Sequence, residues 1–454
     1  MRVEALTIAA VGPTVAALRP AEARSREIAD TVSALLAAVR TRGDAAVVEA
    51  TRRFDWPDAT AQSLGVPVRD LDSAYAAVDR ELLAALQTAR ENCTFFHRHE
   101  LRPDWEDTGA QGQVLGIRHL PVEKAGLYVP GGLGAYASTV IMNAVPALVA
   151  GVRELVVCTP PGRDGTVNGS VLAAARLMGI ERVFRVGGAQ AISAMAYGTE
   201  SIPRVDVICG PGNAYVMEAK RQVYGRVGID SLAGPSEVLV VADGTAPAQW
   251  IAVDMLAQEE HGSGAEALLV AESREICEAV EQAIERLAAE RAPRGTAEPA
   301  GAVPAGSAQS STGGTSDGDF GGGRFWAFHP APGEDFLDLA AALVNAYAPE
   351  HLEIQVADAR SFLARVRSAG AVFLGAGTPT AFGDYIAGTN HVLPTGGSAR
   401  FSSPLSVDTF MRKSSLAEVP ADAALALAPA LARVAESEGF FFHKRSAELR
   451  IEAE

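Results

Sequence analysis

The chain has 454 residues, of which 48% are hydrophobic and 21% are charged, and its formal net charge is −16. It contains no apolar run long enough to cross a bilayer and no block of Lys or Arg that would follow a phosphate backbone. These features predict a soluble, cytoplasmic protein of roughly two to four domains, with neither membrane nor nucleic acid as a partner. The first twenty residues lack the continuous apolar stretch and cleavage site of a secretory signal.

Apolar residues recur at helical spacing from Arg24 to Asp55, with an interruption at Gly43, which predicts two helices joined by a turn. A further helix is predicted from Asp79 to Phe96. In the middle of the chain, the β-rich runs ELVVCTP, ERVFRVGG, VDVICGPG and EVLVVAD are separated by Ala-rich stretches such as GSVLAAARLMG and AQAISAMAYG. Alternating strands and helices predict parallel sheets covered by helices. The runs EALLVAES and GAVFLG extend this α/β prediction toward the C-terminus.

Residues 292–323 differ in composition from the rest, because Gly, Ala, Ser, Pro and Thr dominate them and leave no apolar face to bury. We predict a disordered insertion there, and a flexible loop without a role is the favoured interpretation.

The four cysteines are far apart in the chain and form no CxxC pair, which argues against a disulfide framework and against a thiolate metal site. Burial in the core is the favoured interpretation. Cys209, in VDVICGPGN, is also a conceivable nucleophile, but the mechanism below does not use it.

Three glycine-rich turns lie at strand ends: GLYVPGGLGAYAST from Gly126, VGGAQA from Val186 and CGPGNAY from Cys209. Glycines let the backbone approach a phosphate closely, and a helix that begins just afterwards offers free N–H groups. None of the turns is a GxGxxG fingerprint followed by a ribose-binding acid, so a standard dinucleotide fold is not supported. Each turn alone could be only a tight turn, but three in one α/β region favour a ligand.

Polar residues in and near these turns have the chemistry of a nucleotide site. Tyr128 could stack or form a hydrogen bond, and the amides of Gln190 and Asn213 suit a nicotinamide or a ribose. Ser138 and Ser236 also lie at predicted turns, where both are equally interpretable as helix caps.

Two further segments contain possible metal ligands and proton carriers. In DMLAQEEHGSG the apolar spacing predicts a helix on which Gln258 and His261, three residues apart, share a face. In YAPEHLEI, Glu350 and His351 adjoin after a proline, where a helix or loop could hold a proton acceptor pair at a cleft. For each pattern alone, an ordinary polar surface or capping pair is the favoured interpretation.

The segment FGDYIAGTNHVLPTGGSARFSSPLS is long, irregular and rich in small residues, which is typical of functional loops. Its Asp384 is a hard oxygen donor that suits a mixed nitrogen and oxygen zinc site, although a helix cap is the alternative. His391 lies in the same segment. Near the C-terminus, ESEGFFFHKR places Glu438 and His443 after a predicted helix, where a tail can reach a neighbouring subunit.

Taken together, the motifs resemble those of the histidinol dehydrogenase family over nearly the whole chain. GLYVPGG, STVIMNAVPA, VGGAQAI, GPGNAYV, EAKRQV, AGPSEV, APEHLE, GDYIAGTNHVLPT and a terminal Glu-x-x-x-x-His occur in the family's order. The resemblance implies an α/β fold of two incomplete Rossmann-like parallel-sheet domains, similar to those of aldehyde dehydrogenases, with small helical N- and C-terminal extensions. It also implies NAD-dependent, zinc-requiring oxidation of an amino alcohol to the carboxylate by a homodimer.

The resemblance assigns roles to individual residues. The zinc ligands would be Gln258, His261, Asp384 and His443, of which His443 would come, with Glu438, from the other subunit. Tyr128, Gln190 and Asn213 would contact NAD, and Glu350 and His351 would be the catalytic pair. The residues expected around the substrate are Ser138, Ser236, Gln258, His261, His351, Asp384, Glu438 and His443.

The resemblance also implies a division of the chain. Residues 1–127 would form an N-terminal helical segment and the first part of domain 1, and residues 128–235 the NAD-binding α/β domain 2. Residues 236–400 would form the rest of domain 1, including the insertion, and residues 401–454 a tail that crosses to the partner.

Two departures from the family pattern keep other functions open. Thr380 stands where the family usually has Glu, which predicts the loss of one polar contact near the substrate. Between Glu290 and Asp335, the low-complexity insertion and RFWAFHP stand where the family has a regular helix and strand. The alternatives are a zinc and NAD enzyme for another small polar alcohol, such as a sulfonated propanediol, and a non-catalytic binding paralogue.

Overall fold

The computed structural model describes residues 1–19, 25–131, 136–262, 264–290, 319–320 and 323–452. The helices are α1 Val11–Leu18, α2 Arg26–Arg42, α3 Asp44–Phe54, α4 Val68–Ala77, α5 Arg80–Arg98, α6 Ala137–Ala150, α7 Gly169–Leu177, α8 Gly188–Tyr197, α9 Ala214–Val223, α10 Ala248–Glu259, α11 Arg274–Glu290, α12 Phe336–Tyr347, α13 Ala359–Leu363, α14 Thr380–Tyr385, α15 Ala421–Ser437 and α16 Phe441–Glu452. The strands are β1 Arg2–Leu6, β2 Trp105–Thr108, β3 Val114–Pro121, β4 Lys124–Tyr128, β5 Glu154–Thr159, β6 Arg182–Arg185, β7 Val207–Cys209, β8 Gly228–Ile229, β9 Glu237–Ala242, β10 Glu266–Ala271, β11 Asp319–Phe320, β12 Gly323–Pro330, β13 His351–Gln355, β14 Ala371–Leu374 and β15 Met411–Glu418.

The larger sheet has seven strands in the order β1-β12-β10-β9-β13-β14, all parallel, with β11 antiparallel to β12. Both faces are covered by helices, which is why β9 and β10 are buried along their whole length. Leu352 and Ile354 of β13 belong to the core on one face, together with α12. The alternate residues of β13 therefore point to the opposite face, where α10 and α11 pack.

The smaller sheet has five parallel strands in the order β6-β5-β4-β7-β8. The chain runs outward from β4 through β5 to β6 and then crosses back to β7 on the other side of β4. Strand order thus reverses between β4 and β7, and ligands of open parallel sheets bind beside such a point, at the carboxyl ends of the strands. The predicted α/β class with two parallel sheets is confirmed.

The two predicted N-terminal helices are present as α2 and α3. The Ser25 side chain accepts a hydrogen bond from the Ile28 N–H at the start of α2, and Gly43, with a φ of 54°, ends the helix. Both helices pack against the smaller sheet's helices, because their buried residues share a core with α8 and α9. The predicted helix from Asp79 is also present, as α5, capped by the Asp79 carboxylate.

RFWAFHP, a segment that departs from the family pattern, forms most of β12. It pairs with β1 on one side and with β10 on the other, and Phe325 and Phe328 fill opposite faces of the sheet. The strand expected of the family is therefore present in spite of the unusual sequence. The predicted disordered insertion at 292–323 lies almost entirely outside the described residues.

A third sheet, which the sequence analysis did not predict, is antiparallel and has the order β15-β3-β2. It joins the C-terminal segment to the stretch before β4. After β15 the chain forms α15 and α16, which pack mainly on each other.

All four cysteines are buried and free, which confirms the core interpretation. Within the described ranges, no helix is long and apolar enough to span a membrane.

Candidate active site

A buried acid–base group lies at the amino ends of β9 and β13 in the larger sheet. Glu350 directly precedes β13 and His351 is its first residue, a position in a strand rather than in the predicted helix or loop. Oε2 of Glu350 accepts hydrogen bonds from the Ser236 hydroxyl at 2.5 Å and from the Glu237 N–H at 2.8 Å. His351 Nδ1 lies 3.0 Å from the Glu237 carbonyl oxygen. Parallel pairing of β9 with β13 thus holds both predicted catalytic residues beside Ser236.

The environment shifts the proton affinity of both groups. Burial raises the pKa of Glu350, against the lowering influence of His351 and the two hydrogen bonds that the carboxylate accepts. Burial alone would lower the pKa of His351, but Glu350 and Asp384 outweigh it and raise the pKa to about 9. The pair therefore holds a proton in an enclosed place, as acid–base catalysis requires.

Asp384 approaches His351 from the short helix α14. Its Oδ1 lies 3.6 Å from Nε2 of His351, and its backbone carbonyl oxygen lies 2.9 Å from Nδ1 of His391. His391 Nε2 reaches the Thr139 hydroxyl of α6 at 3.3 Å. Since α6 follows β4, His391 links the acid–base group to the smaller sheet. The sequence analysis named His391 without a role; its position seven residues after Asp384 in one irregular loop was the available signal.

Gln258 and His261 are positioned differently from the prediction. Gln258 lies in the last turn of α10 and is 2% exposed, whereas α10 ends at Glu259 and leaves His261 in the following turn, exposed. The prediction that both share a helix face is therefore wrong, because the helix ends before reaching His261. His261 nevertheless lies close enough to act on the pKa values of Glu350 and Asp384, both of which its charge would lower. His261 and Asp384 thus approach one region, and α10, which carries Gln258, contacts α14, which carries Asp384.

Two buried polar atoms in this region lack a hydrogen-bond partner among the described residues, namely Nε2 of Gln258 and Nε2 of His351. A buried polar atom without a partner costs roughly 1–3 kcal/mol, so such atoms usually have a ligand or an ordered water. The oxygen and the NH₂ group of an amide side chain have nearly the same shape, so Gln258 can present its oxygen at the same place.

The residues expected to contact a nucleotide lie at the carboxyl ends of the smaller sheet's strands. Tyr128 ends β4 and its hydroxyl accepts the Gly188 N–H at 3.1 Å. Gln190, in the first turn of α8, is 2% exposed. Asn213 is exposed and caps α9, since its Oδ1 accepts the N–H groups of Tyr215 and Val216. The three residues therefore surround the place where strand order reverses.

Asp55, which the sequence analysis missed, lies among these residues. It follows α3, and its Oδ2 accepts a hydrogen bond from Nε2 of Gln190 at 3.2 Å. Burial raises its pKa to about 6, against the lowering influence of the Gly187 N–H and of Arg163. The only sign of Asp55 in the sequence was that a carboxylate directly follows the end of a predicted helix. Nothing in the sequence indicated that this helix end lies beside α8.

A buried ion pair holds the CGPGN turn in place. Lys220 of α9 and Asp230 contact each other at 1% and 3% side-chain exposure. Lys220 Nζ donates to the Gly210 carbonyl oxygen at 3.0 Å, and Asp230 accepts the Gly210 N–H at 2.7 Å. Gly210 has a φ of 115°, and a Cβ there would lie 2.0 Å from the Tyr128 carbonyl oxygen. The turn therefore requires glycine at position 210, and the N–H and the carbonyl of Gly210 are each held by a charged side chain.

Cys209, which precedes Gly210, is fully buried. Burial raises the pKa of its thiol, which argues against a nucleophile.

Ser138 and the tail residues take part in none of the contacts described above. Ser138 is half-buried in the first turn of α6. Glu438 follows α15 and His443 lies in the first turn of α16, and both are exposed. Within the described part of the chain, no hydrogen bond or ion pair joins either tail residue to Glu350, His351 or Asp384. One chain by itself thus brings together only part of the predicted substrate site.

The chain matches a family model and curated relatives over most of its length. The model of histidinol dehydrogenase matches residues 18–304 and 334–451. A histidinol dehydrogenase of Synechococcus sp. is 47% identical over 419 residues, which cover 92% of this chain and 91% of the relative. A histidinol dehydrogenase of Thermosynechococcus vestitus is 47% identical over 422 residues, 93% of this chain and 92% of the relative.

A solved structure agrees with the sequence relatives. The crystal structure of histidinol dehydrogenase from Elizabethkingia anophelis superposes with a TM-score of 0.88 at 30% sequence identity. The superposition covers 100% of this chain and 98% of the other.

Proposed function

Because the chain belongs to the histidinol dehydrogenase family, we propose that it oxidises L-histidinol through L-histidinal to L-histidine, the last step of histidine biosynthesis. NAD is the proposed hydride acceptor and Zn²⁺ the proposed metal. The observation that carries the proposal is the group formed by Ser236, Glu350, His351 and Asp384 beside the amino ends of β9 and β13. A cytoplasmic location is part of the same proposal.

The side chains near α10 suit a zinc ion. Zinc accepts nitrogen and oxygen ligands, and the region offers the Gln258 amide, the His261 imidazole and the Asp384 carboxylate. The unpartnered amide of Gln258 supports this assignment. Across the described ranges, no three His, Cys, Asp or Glu side chains form a group able to hold a metal. This agrees with the proposed ligands, because one subunit contributes only two residues of these types, His261 and Asp384. Gln258 is an amide, and His443 is assigned to the partner subunit.

The exposed C-terminal tail supports a homodimer with shared sites. Phe440, Phe441 and Phe442 are 53%, 67% and 81% exposed, directly between Glu438 and His443. Consecutive exposed aromatic side chains are unfavourable in water and are typical of subunit interfaces. We therefore assign the cover of these rings to the partner subunit, whose site would receive Glu438 and His443.

When bound, zinc would orient the substrate's amine and imidazole, and NAD would accept a hydride in each of two oxidation steps. In the first step His351, once it has released the proton that its raised pKa retains at neutral pH, takes the hydroxyl proton while the carbinol carbon loses a hydride, which gives the aldehyde. In the second, Glu350 takes a proton from water as its oxygen adds to the aldehyde carbon, and the resulting hydrate loses a hydride and a proton to give the carboxylate. Ser236 and the Glu237 N–H hold the Glu350 carboxylate in place for this role.

Tyr128, Gln190 and Asn213 are assigned to NAD. They surround the carboxyl ends of the smaller sheet, and the link from His391 to Thr139 connects this edge to the acid–base group. The tightly held CGPGN turn, which ends with Asn213, lets the backbone approach the cofactor.

Thr380 motivated a different substrate, but its position weakens that argument. Thr380 is 6% exposed and its N–H and hydroxyl both donate to Glu353. It therefore satisfies a buried carboxylate instead of leaving a substrate contact empty. The non-catalytic alternative finds no support in the acid–base group, because Ser236, Glu350, His351 and Asp384 are all present and close to one another.

The test is an assay of purified, zinc-loaded protein with L-histidinol and NAD. We expect two NADH per L-histidinol consumed and stoichiometric zinc. Turnover of a sulfonated propanediol without turnover of L-histidinol would replace the proposed substrate. Equal inactivity of the wild type and Glu350→Gln, with both substrates, would favour the binding paralogue.

A further inference from the structure

Three elements of the site repeat the same arrangement. Each carries one proposed site residue and, one helical turn or one strand repeat away, a second polar residue on the same face. The pairs are Gln258 and Asp254 on α10, His351 and Glu353 on β13, and Asp384 and Thr380 on α14. A fourth polar residue, Gln355, continues the face of β13. We call Asp254, Glu353, Gln355 and Thr380 the supporting cluster.

Glu353 is the centre of the supporting cluster. Its Oε1 accepts the N–H and the hydroxyl of Thr380, each at 2.8 Å. Its Oε2 accepts Nε2 of Gln355 at 2.7 Å, and the same Nε2 lies 3.1 Å from Oδ2 of Asp254. These bonds connect α14 directly to β13, and they connect α10 to β13 through one amide.

The supporting cluster is enclosed by protein. Glu353 is 0% exposed, Gln355 1% and Thr380 6%. Both carboxylate oxygens of Glu353 already accept protein donors, so this group does not serve as a base toward substrate. A buried carboxylate is costly to leave without donors, so its bonds hold the surrounding elements firmly.

The charges within the supporting cluster allow Glu353 to hold α10 and α14 against β13. Burial and the neighbouring Glu353 raise the pKa of Asp254 to about 8. Asp254 is therefore mostly protonated at neutral pH, which weakens the repulsion between its carboxyl group and that of Glu353. Repulsion does not separate α10 from β13.

We infer that Glu353 is a positioning residue for the proposed zinc site, acting through Thr380 on the helix that carries Asp384 and through Gln355 on the helix that carries Gln258. The inference rests on the proposed function. Groups that orient metal ligands usually change metal affinity about 10–100-fold when removed, even though they do not touch the metal. Thr380 is the most informative member, since one of its two bonds can be removed without a change of shape.

The test compares Thr380→Val with Thr380→Ser. Valine matches the shape of threonine and keeps the N–H bond to Glu353 but loses the hydroxyl bond, whereas serine keeps both donors. Zinc affinity is measured by competition with a chromophoric chelator on protein shown to be folded by circular dichroism. We expect Thr380→Val to bind zinc about tenfold more weakly than the wild type and Thr380→Ser to bind within about twofold of it.

Gln355→Leu is the second variant, and it breaks the link to α10. We expect weaker zinc binding there as well, with kcat recovering when zinc is in excess. Unchanged zinc affinity in both Thr380→Val and Gln355→Leu, with only a lower melting temperature, would show a merely structural role and overturn the inference. In that case a wild type that binds zinc and oxidises L-histidinol would leave the proposed function intact. A wild type that takes up no zinc would overturn both.

Discussion

The Ser236 hydroxyl donates to Oε2 of Glu350 across 2.5 Å, although 114 positions separate the two residues in the chain. Parallel pairing of β9 with β13 brings them together, and the Glu237 N–H donates to the same oxygen. Oε2 is thereby committed to the protein, which fixes the direction in which the carboxyl group faces the site.

Glu350→Gln should separate the two oxidation steps. The amide oxygen of glutamine can accept the same two hydrogen bonds, so the fold is expected to persist, but the amide cannot take a proton from water. Rapid mixing with L-histidinol should give one NADH per site at nearly the wild-type rate. The second NADH should form about 10²–10⁴-fold more slowly, the usual cost of a lost general base. Equal slowing of both NADH phases would contradict the role assigned to Glu350.

Two variants that are each impaired in complete turnover should complement each other if sites are shared between subunits. In a mixed dimer of Glu350→Gln and His443→Ala, one site carries both changes and the other carries neither. Random reassociation makes half of the dimers mixed, so we expect about a quarter of wild-type activity from an equimolar mixture. The measurement is NADH formation after joint unfolding and refolding, with each variant refolded alone as the control. A mixture no more active than its components would argue that His443 serves its own subunit or none.

The apolar strands could be predicted because they are buried on both faces. EVLVVA and EALLVA are continuous hydrophobic runs, and such runs in alternation with helices leave few architectures open. β1 and the antiparallel sheet escaped prediction for the opposite reason. WEDT of β2 is entirely exposed and VLGIRHLP of β3 is only partly buried, so neither has a strong apolar pattern.

Site residues that depend on local motifs were recognisable, and those that depend on packing were not. Glu350 and His351 adjoin in the sequence and in space. Asp55 meets Gln190 only because α3 packs against α8, a contact between residues 135 positions apart. The supporting cluster was likewise not predicted. Glu353 lies in the APEHLE motif and Thr380 departs from the family pattern, but nothing in the sequence relates either residue to the other or to Asp254, since only the packing of α10, β13 and α14 brings them together.

The ion pair beneath the CGPGN turn predicts an effect on NAD binding. Lys220→Met leaves Asp230 charged and buried without its partner, and breaking one side of such a pair usually costs about 3–5 kcal/mol of stability. The double variant Lys220→Met/Asp230→Asn removes both charges and should recover part of that loss. Both variants release the Gly210 carbonyl oxygen, so we expect KM for NAD to rise more than kcat falls. An unchanged KM for NAD in the stable double variant would separate this ion pair from the cofactor site.

Asp55 predicts a pH dependence of stability with a defined sign. Its pKa is about 6 in the folded protein against an ordinary value of 3.8, because burial disfavours the ionised carboxylate. The unfolded chain therefore releases this proton at lower pH, so the group's contribution to the free energy of unfolding falls as pH rises from 3.8 to about 6 and is constant above that. Asp55→Asn should remove this penalty, and its amide oxygen can still accept the hydrogen bond from Gln190. The gain in stability should be about 1 kcal/mol larger at pH 8 than at pH 5, so the melting temperature of the variant should exceed that of the wild type by more at pH 8 than at pH 5.

Asp58→Asn, at an exposed site in the same loop, controls for the loss of one negative charge. A gain for Asp55→Asn that is the same at both pH values would show that the carboxylate is not penalised by burial.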